Sequence, residues 1–513
     1  MSATAGPAAT GHRALLTVCL MMATIMQALD TTIANVALPY MQGSLSATQD
    51  QVNWVLTSYI VSAAIMTAPV GWLAMRFGTK RVLIVCAVGF TVASMLCGLA
   101  QSLTDMVLFR LLQGIFGAAL VPLSQAVMMA IYPPERRGQA MAIWGMGVML
   151  GPILGPTLGA WLTETWTWRW VFFVNLPFGI ATVLGLIAFM KETDLREGHA
   201  FDWFGFAMLS LGIGALQLML DRGETLGWFE SPEVVAEAAC AVAGLYFFLA
   251  HSLTTAKPFI PIAMFADRNF TIGVIFMFLV GMILLATLAL VTPYLQLIVG
   301  YPVLDSGFLL GSRGVGTLIS MMVVGRLLRF MDARILVFFG IVASTWATWS
   351  FVWLAPETSA LTFVVSNIVQ GIGLGLLFVP LNTIAFATLP AALRTEATAV
   401  WSLIRNIGSA IGVSIVVAQL TSGTTVMHAR LGEALTPWNL GLADPAAATL
   451  RGASAAGRAT LDAMVTGQAA LISYSNDFLL MALVGLATFP LLLLLQDTRA
   501  AQMSGGESAP ALD

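Results

Sequence analysis

The stretch that decides the fold is ALLTVCLMMATIMQALDTTIANVAL, residues 14–38. It is long and apolar enough to form a helix that crosses a lipid bilayer. Asp30 breaks the apolar pattern, and a carboxylate within such a helix costs at least about 2.5–3.5 kcal/mol on insertion scales. The stretch therefore predicts a membrane-spanning helix whose acid finds a partner, faces water or carries a proton.

The composition of the whole chain agrees with this prediction. The 513 residues are 58% hydrophobic and 10% charged, whereas ordinary soluble domains carry about 25% charged residues. We therefore predict a polytopic membrane protein. The net charge of -3 argues against nucleic acid as a partner. The cysteines lie in apolar segments and the histidines are scattered, so no disulfide set, metal site or cofactor site is predicted.

Fourteen apolar segments are long enough to span the bilayer. Each is predicted to be helical, because lipid offers no hydrogen-bond partner to an open backbone. An even number of spans places both termini on one side. The segments lie at about 14–38, 52–74, 82–101, 105–131, 139–162, 170–190, 203–220, 234–253, 270–292, 305–328, 335–355, 360–388, 396–420 and 477–496.

The loops indicate which side is which. Basic residues such as Arg76, Lys80, Arg81 and Arg136 occupy every second loop, and the alternate short loops carry few. By the positive-inside rule the basic loops and both termini are cytoplasmic. The long loop 421–476 then faces outward. It is either a docking surface for an extracytoplasmic partner or a solvated linker with some helix.

A faint repeat indicates two related halves. The string Gly71–Arg81 follows the second span, and a similar string, Gly325–Arg334, follows the tenth. The fold class predicted is an all-α integral membrane protein of 14 transmembrane helices, with two six-helix halves and two inserted helices. The predicted divisions are a cytoplasmic segment 1–13, a first half 14–190, linkers with the inserted helices 191–268, a second half 269–496 that contains the 421–476 loop, and a cytoplasmic tail 497–513.

Asp30 is the first candidate functional residue. A carboxylate lining a central cavity can be tuned by burial and by a nearby cation to load and release protons. The alternative is a structural acid bonded to Thr31, Thr32 or Asn35. We interpret Asp30 as the only carboxylate deep within a span.

Arg110 is the candidate partner of Asp30. Asp30 lies about two-thirds of the way out along the first span and Arg110 near the outer start of the fourth, at about 1.5 Å per residue. Their depths are compatible with an ion pair. The alternative is an arginine that reaches the outer interface.

Three further features lie within spans. The fifth span contains a stripe of glycines four residues apart with two interleaved prolines, which indicates either static tight packing or a seal between the halves that opens and closes. Arg313 and Arg405 have no deep carboxylate in the second half to pair with, so they attract an anionic substrate, bond to carbonyls or hold the fold. The stripe comprises Gly147, Gly151, Pro152, Gly155, Pro156 and Gly159.

No catalytic constellation appears. The chain has no phosphate-binding Gly-Lys-Ser/Thr loop, so it is not predicted to use ATP. An integral-membrane enzyme is therefore disfavoured.

Together these motifs resemble the major facilitator superfamily, and more narrowly its 14-helix drug:proton antiporters of the EmrB/QacA type, over about residues 14–496. The matching motifs are Leu29–Pro39 in the first span, the Gly71–Arg81 inner loop, Arg110 with Gln113 and Gly114, the fifth-span stripe, and Trp168–Gly179.

The resemblance implies roles for these motifs. Asp30 and Arg110 would couple transport to protons, and the fifth-span stripe would favour export. The inner loop would take part in gating through Gly71, Arg76, Gly78, Lys80 and Arg81. Met75 stands where that loop often has Asp, so a charge relay there is not expected.

The resemblance also implies partners. They are protons, membrane lipid and lipophilic small molecules, neutral or anionic because of Arg313 and Arg405, with a periplasmic adaptor and an outer-membrane channel as further candidates at the 421–476 loop. The substrate cavity would be lined by Thr31, Asn35, Gln113, Arg313, Arg405 and Asn406.

The function predicted is proton-coupled efflux of lipophilic compounds across a bacterial inner membrane by alternating access. Two alternatives stay open. One is a proton-coupled importer on the same fold, which the direction of substrate flux would distinguish. The other is a non-transporting membrane scaffold or receptor, which would not need Asp30 to titrate.

Overall fold

The computed structural model describes residues 7–133, 136–192, 201–255, 258–390, 393–433 and 455–496, with the side chains of 7–12, 49–50, 152–153, 303–304 and 455 excepted. These residues form helices and short connections. Thirteen helices are long and apolar enough to cross a membrane, and a bent pair, Gln51–Thr67 with Val70–Phe77, makes a fourteenth span. The predicted number of spans is confirmed.

The first group of helices builds six spans. Three of these spans are broken, at Pro69 between α2 and α3, at Ala118–Ala119 between α5 and α6, and at Val174 between α8 and α9. A proline removes a backbone donor, which explains the 56° bend between α2 and α3. The group comprises α1 Pro7–Ser44, α2 Gln49–Thr67, α3 Val70–Phe77, α4 Thr79–Leu99, α5 Leu103–Gly117, α6 Leu120–Ile131, α7 Arg137–Thr165, α8 Trp170–Phe173 and α9 Asn175–Phe189.

Two inserted helices, α10 Trp203–Leu226 and α11 Pro232–Thr254, form an antiparallel pair. The second group then builds six more spans. Its first helix ends in a π-helical turn, Tyr294–Ile298. The group comprises α12 Arg268–Pro293, α13 Val303–Leu327, α14 Ala333–Phe351, α15 Ala360–Ala387, α16 Arg394–Glu433, α17 Ala455–Leu486 and α18 Phe489–Leu494.

The largest departure from the predicted spans concerns the 421–476 loop. Helix α16 continues to Glu433 and α17 already begins at Ala455, so much of this segment is helical. His428 Nε2 and Asp462 Oδ1 lie 3.0 Å apart and join the two extensions. Residues 434–454, which complete the predicted loop, lie outside the described residues. Hydropathy missed the helices because their outer turns are polar and pack on each other rather than on lipid.

We call the end of the bundle that carries these extensions, residues 421–433 and 455–476, the hairpin end. The opposite end carries Arg76, Lys80, Arg81, Arg136 and Arg329, and we call it the basic end. Two spans start at the hairpin end with a capping box, at Thr48 with Gln51 and at Ser102 with Asp105. Each box satisfies backbone donors that the first helical turn leaves free.

The repeated strings make equivalent contacts at the basic end. Gly71, at the end of the second span, lies against the backbone and side chain of Glu396 at the start of α16. Gly325, at the end of α13, lies against Gln139 and Ala142 at the start of α7. Each string thus packs on the opposite group, as two parallel repeats related by an axis along the membrane normal would.

Further contacts close the basic end between the two groups. Gln125 Nε2 donates to Asn382 Oδ1 at 2.6 Å, and both residues are buried. The rings of Trp144 and Phe378 stack with centroids 5.9 Å apart. Toward the hairpin end α1 and α12 do not pack as neighbouring helices within the described residues. The two groups are therefore held together chiefly at the basic end and along α7 and α13.

Candidate functional site

Three helices bring a polar cluster together around Asp30 on α1. Arg110 and Gln113 lie one turn apart on α5 and so share a face, and Asn175 opens α9. Arg110 Nη1 donates to Asp30 Oδ2 at 2.7 Å, and Gln113 Nε2 donates to Oδ1 at 2.8 Å. Asn175 Nδ2 lies 3.3 Å from the same Oδ1. The relative exposure of Asp30, Arg110, Gln113 and Asn175 is 0% in each case.

Arg110 is held from several sides. Its Nε donates to the carbonyl oxygen of Val55 on α2 at 3.0 Å, and Nη1 also donates to Gln113 Oε1 at 2.8 Å. Its guanidinium lies 4.2 Å from the ring centroid of Tyr59 and 5.7 Å from that of Phe172. These contacts fix the cation in place independently of Asp30.

A proton that binds to Asp30 can change this arrangement. An ionised Asp30 accepts hydrogen bonds from Arg110, Gln113 and Asn175. It also balances the charge of Arg110, as in a charge-assisted hydrogen-bond network. A proton on Asp30 removes the negative charge and turns one acceptor oxygen into a donor. The network would then lose its ion pair while Arg110 kept its bonds to Val55 and Gln113. A proton on Asp30 would therefore weaken the contact among α1, α5 and α9.

The structure shows which partners Asp30 and Arg110 have. Thr31 and Thr32 bond to backbone carbonyls of α1, and Thr32 also to the Gly151 carbonyl, instead of to Asp30. Asn35 is exposed. The predicted ion pair between Asp30 and Arg110 is present. The interpretation of Arg110 as an interface arginine is wrong, because its side chain is buried.

Sequence reasoning missed part of this cluster. Asn175 was singled out only as part of a motif, and Tyr59 not at all. Asn175 also donates to Ser94 Oγ at 2.9 Å, and Gln27 Nε2 donates to the Tyr59 hydroxyl at 3.2 Å. The available signal was a polar side chain within an apolar span. The sequence does not give the rotation of each helix about its axis, and this rotation determines which partner such a side chain contacts.

The structure does not join the other predicted cavity residues to Asp30. Arg313 on α13 is 7% exposed, and its Nε and Nη2 have no hydrogen-bond partner among the described residues. Arg405 on α16 is half-buried and lies near its exposed neighbour Asn406, with a 3.4 Å contact from Nη2 to Oδ1. Both arginines lie about 15 Å from the nearer end of their helices, at about 1.5 Å per residue, close to mid-depth.

The glycine stripe of α7 packs on α1, within the same group of helices. Gly147 lies against Met21, Gly151 against the backbone of Ala28, and Gly155 and Gly159 against the turn that contains Thr32 and Ile33. The predicted seal between the two halves is therefore wrong for these glycines, and tight packing explains them. Pro156 is half-buried in this helix, and the side chain of Pro152 lies outside the described residues.

The inner-loop residues occupy the basic end. Gly78 adopts a φ of 91°, where a side chain would be strained, and it lies against the Glu192 carboxylate. That carboxylate accepts from the Lys80 backbone nitrogen at 3.1 Å and lies 3.6 Å from Arg81 Nε. Arg76 is exposed. The Glu192 contacts tie this loop to the end of the sixth span within the first group, and the contact of Gly71 to Glu396 ties the second span to the second group.

One buried acid corrects the sequence analysis. Asp477 was assigned to the start of the last span and not considered deep. Because α17 begins at Ala455, Asp477 lies well inside the helix and its exposure is 0%. Asp30 is therefore not the only buried carboxylate within a span, and the second group has one of its own.

Comparison with known proteins places the chain in a family. A model of the Major Facilitator Superfamily matches residues 20–413. The chain belongs to the Major Facilitator Superfamily. It is 34% identical over 430 residues to the multidrug export protein EmrB of Escherichia coli K12, covering 83% of each chain. It is 33% identical over 440 residues to the fatty acid resistance protein FarB of Neisseria gonorrhoeae, covering 85% of this chain and 86% of that one.

A solved structure agrees with this assignment at the level of fold. The human organic anion transporter MFSD10 (TETRAN) superimposes with a TM-score of 0.57 at 14% identity, covering 94% of this chain and 100% of that one. The resemblance to EmrB-type members of the superfamily is confirmed by the two relatives. The chain is accordingly a multi-pass membrane transporter and not an enzyme.

Proposed function

We propose that this major facilitator protein exports lipophilic compounds in exchange for protons, and that the Asp30 cluster carries the coupling. The observation that supports this most directly is the buried ion pair of Asp30 and Arg110, closed by Gln113 and Asn175. A buried charge pair is weak as a source of stability. Its retention inside a span fits a functional role better than a structural one.

The proposed cycle uses the conformation described above. The basic end is closed, so a proton entering from the hairpin end neutralises Asp30 and weakens its contact with Arg110. The contact among α1, α5 and α9 relaxes, and the groups rearrange to open the basic end. Substrate loading from that side favours release of the proton. One proton crossing inward contributes about 2.3 kcal/mol per 100 mV of membrane potential.

The orientation is part of the proposal. The basic end holds most of the exposed arginines and lysines, which by the positive-inside rule makes it cytoplasmic. Both termini then lie in the cytoplasm of a bacterium and the protein lies in its inner membrane. The helical extensions at the hairpin end project from the outer face and are the candidate contact for a periplasmic adaptor and outer-membrane channel.

The substrate class follows from charge. Arg313 is a buried cation whose Nε and Nη2 lack partners in the described part of the chain, and Arg405 has a single weak contact. A buried unpaired cation is costly, so an anionic headgroup near mid-depth would be favoured. Relatives named for multidrug export and for fatty acid resistance are consistent with neutral or anionic lipophilic compounds.

The test is export from proteoliposomes under an imposed pH gradient. Two probes would be used, a fluorescent long-chain fatty acid and the cationic dye ethidium. Wild type should move at least the fatty acid, and Asp30→Asn should lose gradient-driven export while it still binds the probe. Glu164→Gln, which changes an exposed acid at the hairpin end of α7, should behave as wild type.

Three results would count against the proposal. Persistent gradient-driven export in Asp30→Asn would remove Asp30 from the coupling. Accumulation of the probe in the direction of the proton gradient would indicate an importer. A wild-type protein that moves neither probe and takes up no proton would favour a scaffold.

A further inference from the structure

Asp477 on α17 is buried in a different setting from Asp30. Its exposure is 0%, and neither carboxylate oxygen has a hydrogen-bond partner among the described residues. Both carboxylate oxygens of Asp30, by contrast, accept hydrogen bonds. Burying an ionised carboxylate without partners is so costly that such a group takes up a proton instead. The geometry thus indicates that Asp477 is neutral in this conformation.

The surroundings of Asp477 are aromatic and apolar. Tyr294 on the π turn after α12 packs on Tyr474 and Phe478, with ring centroids 5.3 and 6.4 Å away. Phe351 of α14 and Val416 of α16 belong to the same buried cluster. None of these helices offers a cation to the carboxylate within the part of the chain that the structure describes.

The titratable groups nearby are few. Tyr474, one turn before Asp477, and Tyr294 across from it carry phenols. Glu357, in the turn before α15, is exposed and acts electrostatically on Tyr294. His428 and Asp462 pair with each other on the extensions, and Asp462 precedes Asp477 by about 22 Å of helix at about 1.5 Å per residue.

A cleft at the hairpin end lies close to Asp477 along α17. A cleft of about 200 Å³ between α16 and α17 is lined by Gln419, Ser422, Ser473 and Asn476 together with Gly423, Val426 and Met427. Ser473 is four residues before Asp477 and therefore lies on the same face of α17. Ser473 is 1% exposed, and its hydroxyl lies where Gly423 leaves room and donates to the Ala469 carbonyl oxygen at 2.9 Å. The cleft thus brings polar side chains to within about one helical turn of Asp477.

We propose that Asp477 is a second proton-binding site of this transporter, loaded from the hairpin end. The proposal rests on the proton-coupled export inferred above. In the described conformation a proton from water in the cleft forms the O–H bond of Asp477. When the basic end opens and Asp477 meets water or a cation, that bond breaks and the proton leaves to water on the opposite side. Each cycle then carries two protons inward, one on Asp30 and one on Asp477.

The first measurement needs no substrate. Infrared spectra of the purified full-length protein at pH 7 should show a C=O stretching band of a neutral carboxylic acid that is absent from Asp477→Asn. Asp477→Glu should shift this band, and this variant keeps the measurement decisive if Asp477→Asn fails to fold. Identical carboxylic-acid bands in wild type and in the folded variants would overturn the proposal.

The second measurement separates a transported proton from a static one. With the fluorescent fatty acid in proteoliposomes, Asp477→Asn should slow gradient-driven export at least tenfold and leave gradient-free exchange of the probe intact. Asp477→Glu should restore part of the driven export with a shifted pH profile. Asp462→Asn, on the same helix but exposed, is the matched control and should act as wild type.

The outcomes distinguish this proposal from the function on which it rests. Driven export in Asp477→Asn with the wild-type rate and pH profile would overturn the second site and leave Asp30 as the coupling residue. Loss of driven export and of exchange alike would also overturn it, because that pattern indicates a structural role. Failure of wild type to export would overturn the proposed function, while the infrared band would still decide whether Asp477 holds a proton.

Discussion

Two buried acids in one bundle illustrate how surroundings set the role of a side chain. Asp30 accepts bonds from Arg110, Gln113 and Asn175, so a cation and two amides lie beside it. Asp477 has no such donors among the described residues, so its neutral form is stabilised. A transporter that must take up protons at one stage and release them at another can use groups of both kinds, provided that conformational change exchanges their surroundings.

Replacement of Arg110 tests the contribution of the ion pair with Asp30. Arg110→Met would leave the Asp30 charge buried without its cation, which for a buried pair costs about 3–5 kcal/mol. A proton on Asp30 relieves this cost, so the loss of stability should be small at acid pH and grow as pH rises. The unfolding temperature of the detergent-solubilised protein, measured between pH 5 and pH 8, reports this loss of stability.

The double variant Asp30→Asn/Arg110→Met supplies the control for this prediction. It has no acid to leave unpaired, so its deficit in unfolding temperature should not depend on pH. A pH-independent loss in the single variant would show that Arg110 contributes through its packing on Tyr59 and Phe172 and not through its charge.

At the scale of helices, glycine stripes set how closely spans approach. The stripe of α7 lies on α1, and in the second group Gly408 and Gly412 of α16 lie on Phe278 and Met282 of α12. The first and fifth spans are therefore closely packed on each other in each group. Since α1 carries Asp30 and α7 fixes its position, the stripe positions the candidate coupling site without forming the contact between groups.

Gly151→Leu should disrupt this packing. Even a Cβ at Gly151 would lie only 2.6 Å from the Ala28 Cβ and closer to its backbone, so α1 must move. Overpacking of this kind costs about 1–3 kcal/mol or more, and the variant should show a lower unfolding temperature and weaker gradient-driven export.

Gly311→Ala on α13 is the matched control for Gly151→Leu, because nothing lies within 4 Å of its Cβ position. It should leave stability unchanged or raise it by up to about 1 kcal/mol through helix propensity. If Gly151→Leu unfolds at the wild-type temperature, the close packing of α7 on α1 is not a source of stability.

The helices also show what sequence can predict. Hydropathy predicted the number of spans, because a membrane demands long apolar segments whatever their neighbours. Depth along the spans predicted the pair of Asp30 and Arg110. The place of Asn175 in the cluster depended on helix rotation, which depth does not give. Asp477 was missed because α17 continues beyond its apolar part as a polar helix supported by α16.

At the scale of the whole molecule, the contact between the two groups would determine which end is accessible in the proposed cycle. Gly71 against Glu396, Gly325 against Gln139 and the bond from Gln125 to Asn382 all lie at the basic end. Alternating access requires these contacts to separate in every cycle. They lie beside apolar contacts between the groups, such as the stack of Trp144 on Phe378, so movement of one group against the other would have to break contacts of both kinds.

A reversible crosslink at the basic end tests this separation. Gly138 and Leu328 lie at the ends of α7 and α13, and a Cβ on Gly138 would be 3.6 Å from that of Leu328, within the range of about 3.5–4.5 Å found in disulfides. Gly138→Cys/Leu328→Cys, with the exposed Cys240 changed to Ser, should lose export when oxidised and regain it when reduced.

The matched control for that crosslink joins two helices of one group. Gly485→Cys/Thr345→Cys would place Cβ atoms 3.5 Å apart between α17 and α14, and its disulfide should leave export unchanged. Because the two crosslinks have similar geometry, a difference between them reports the movement of one group against the other. Full export with the basic end crosslinked would mean that α7 and α13 stay together at this point throughout the cycle, and that access alternates around a different contact.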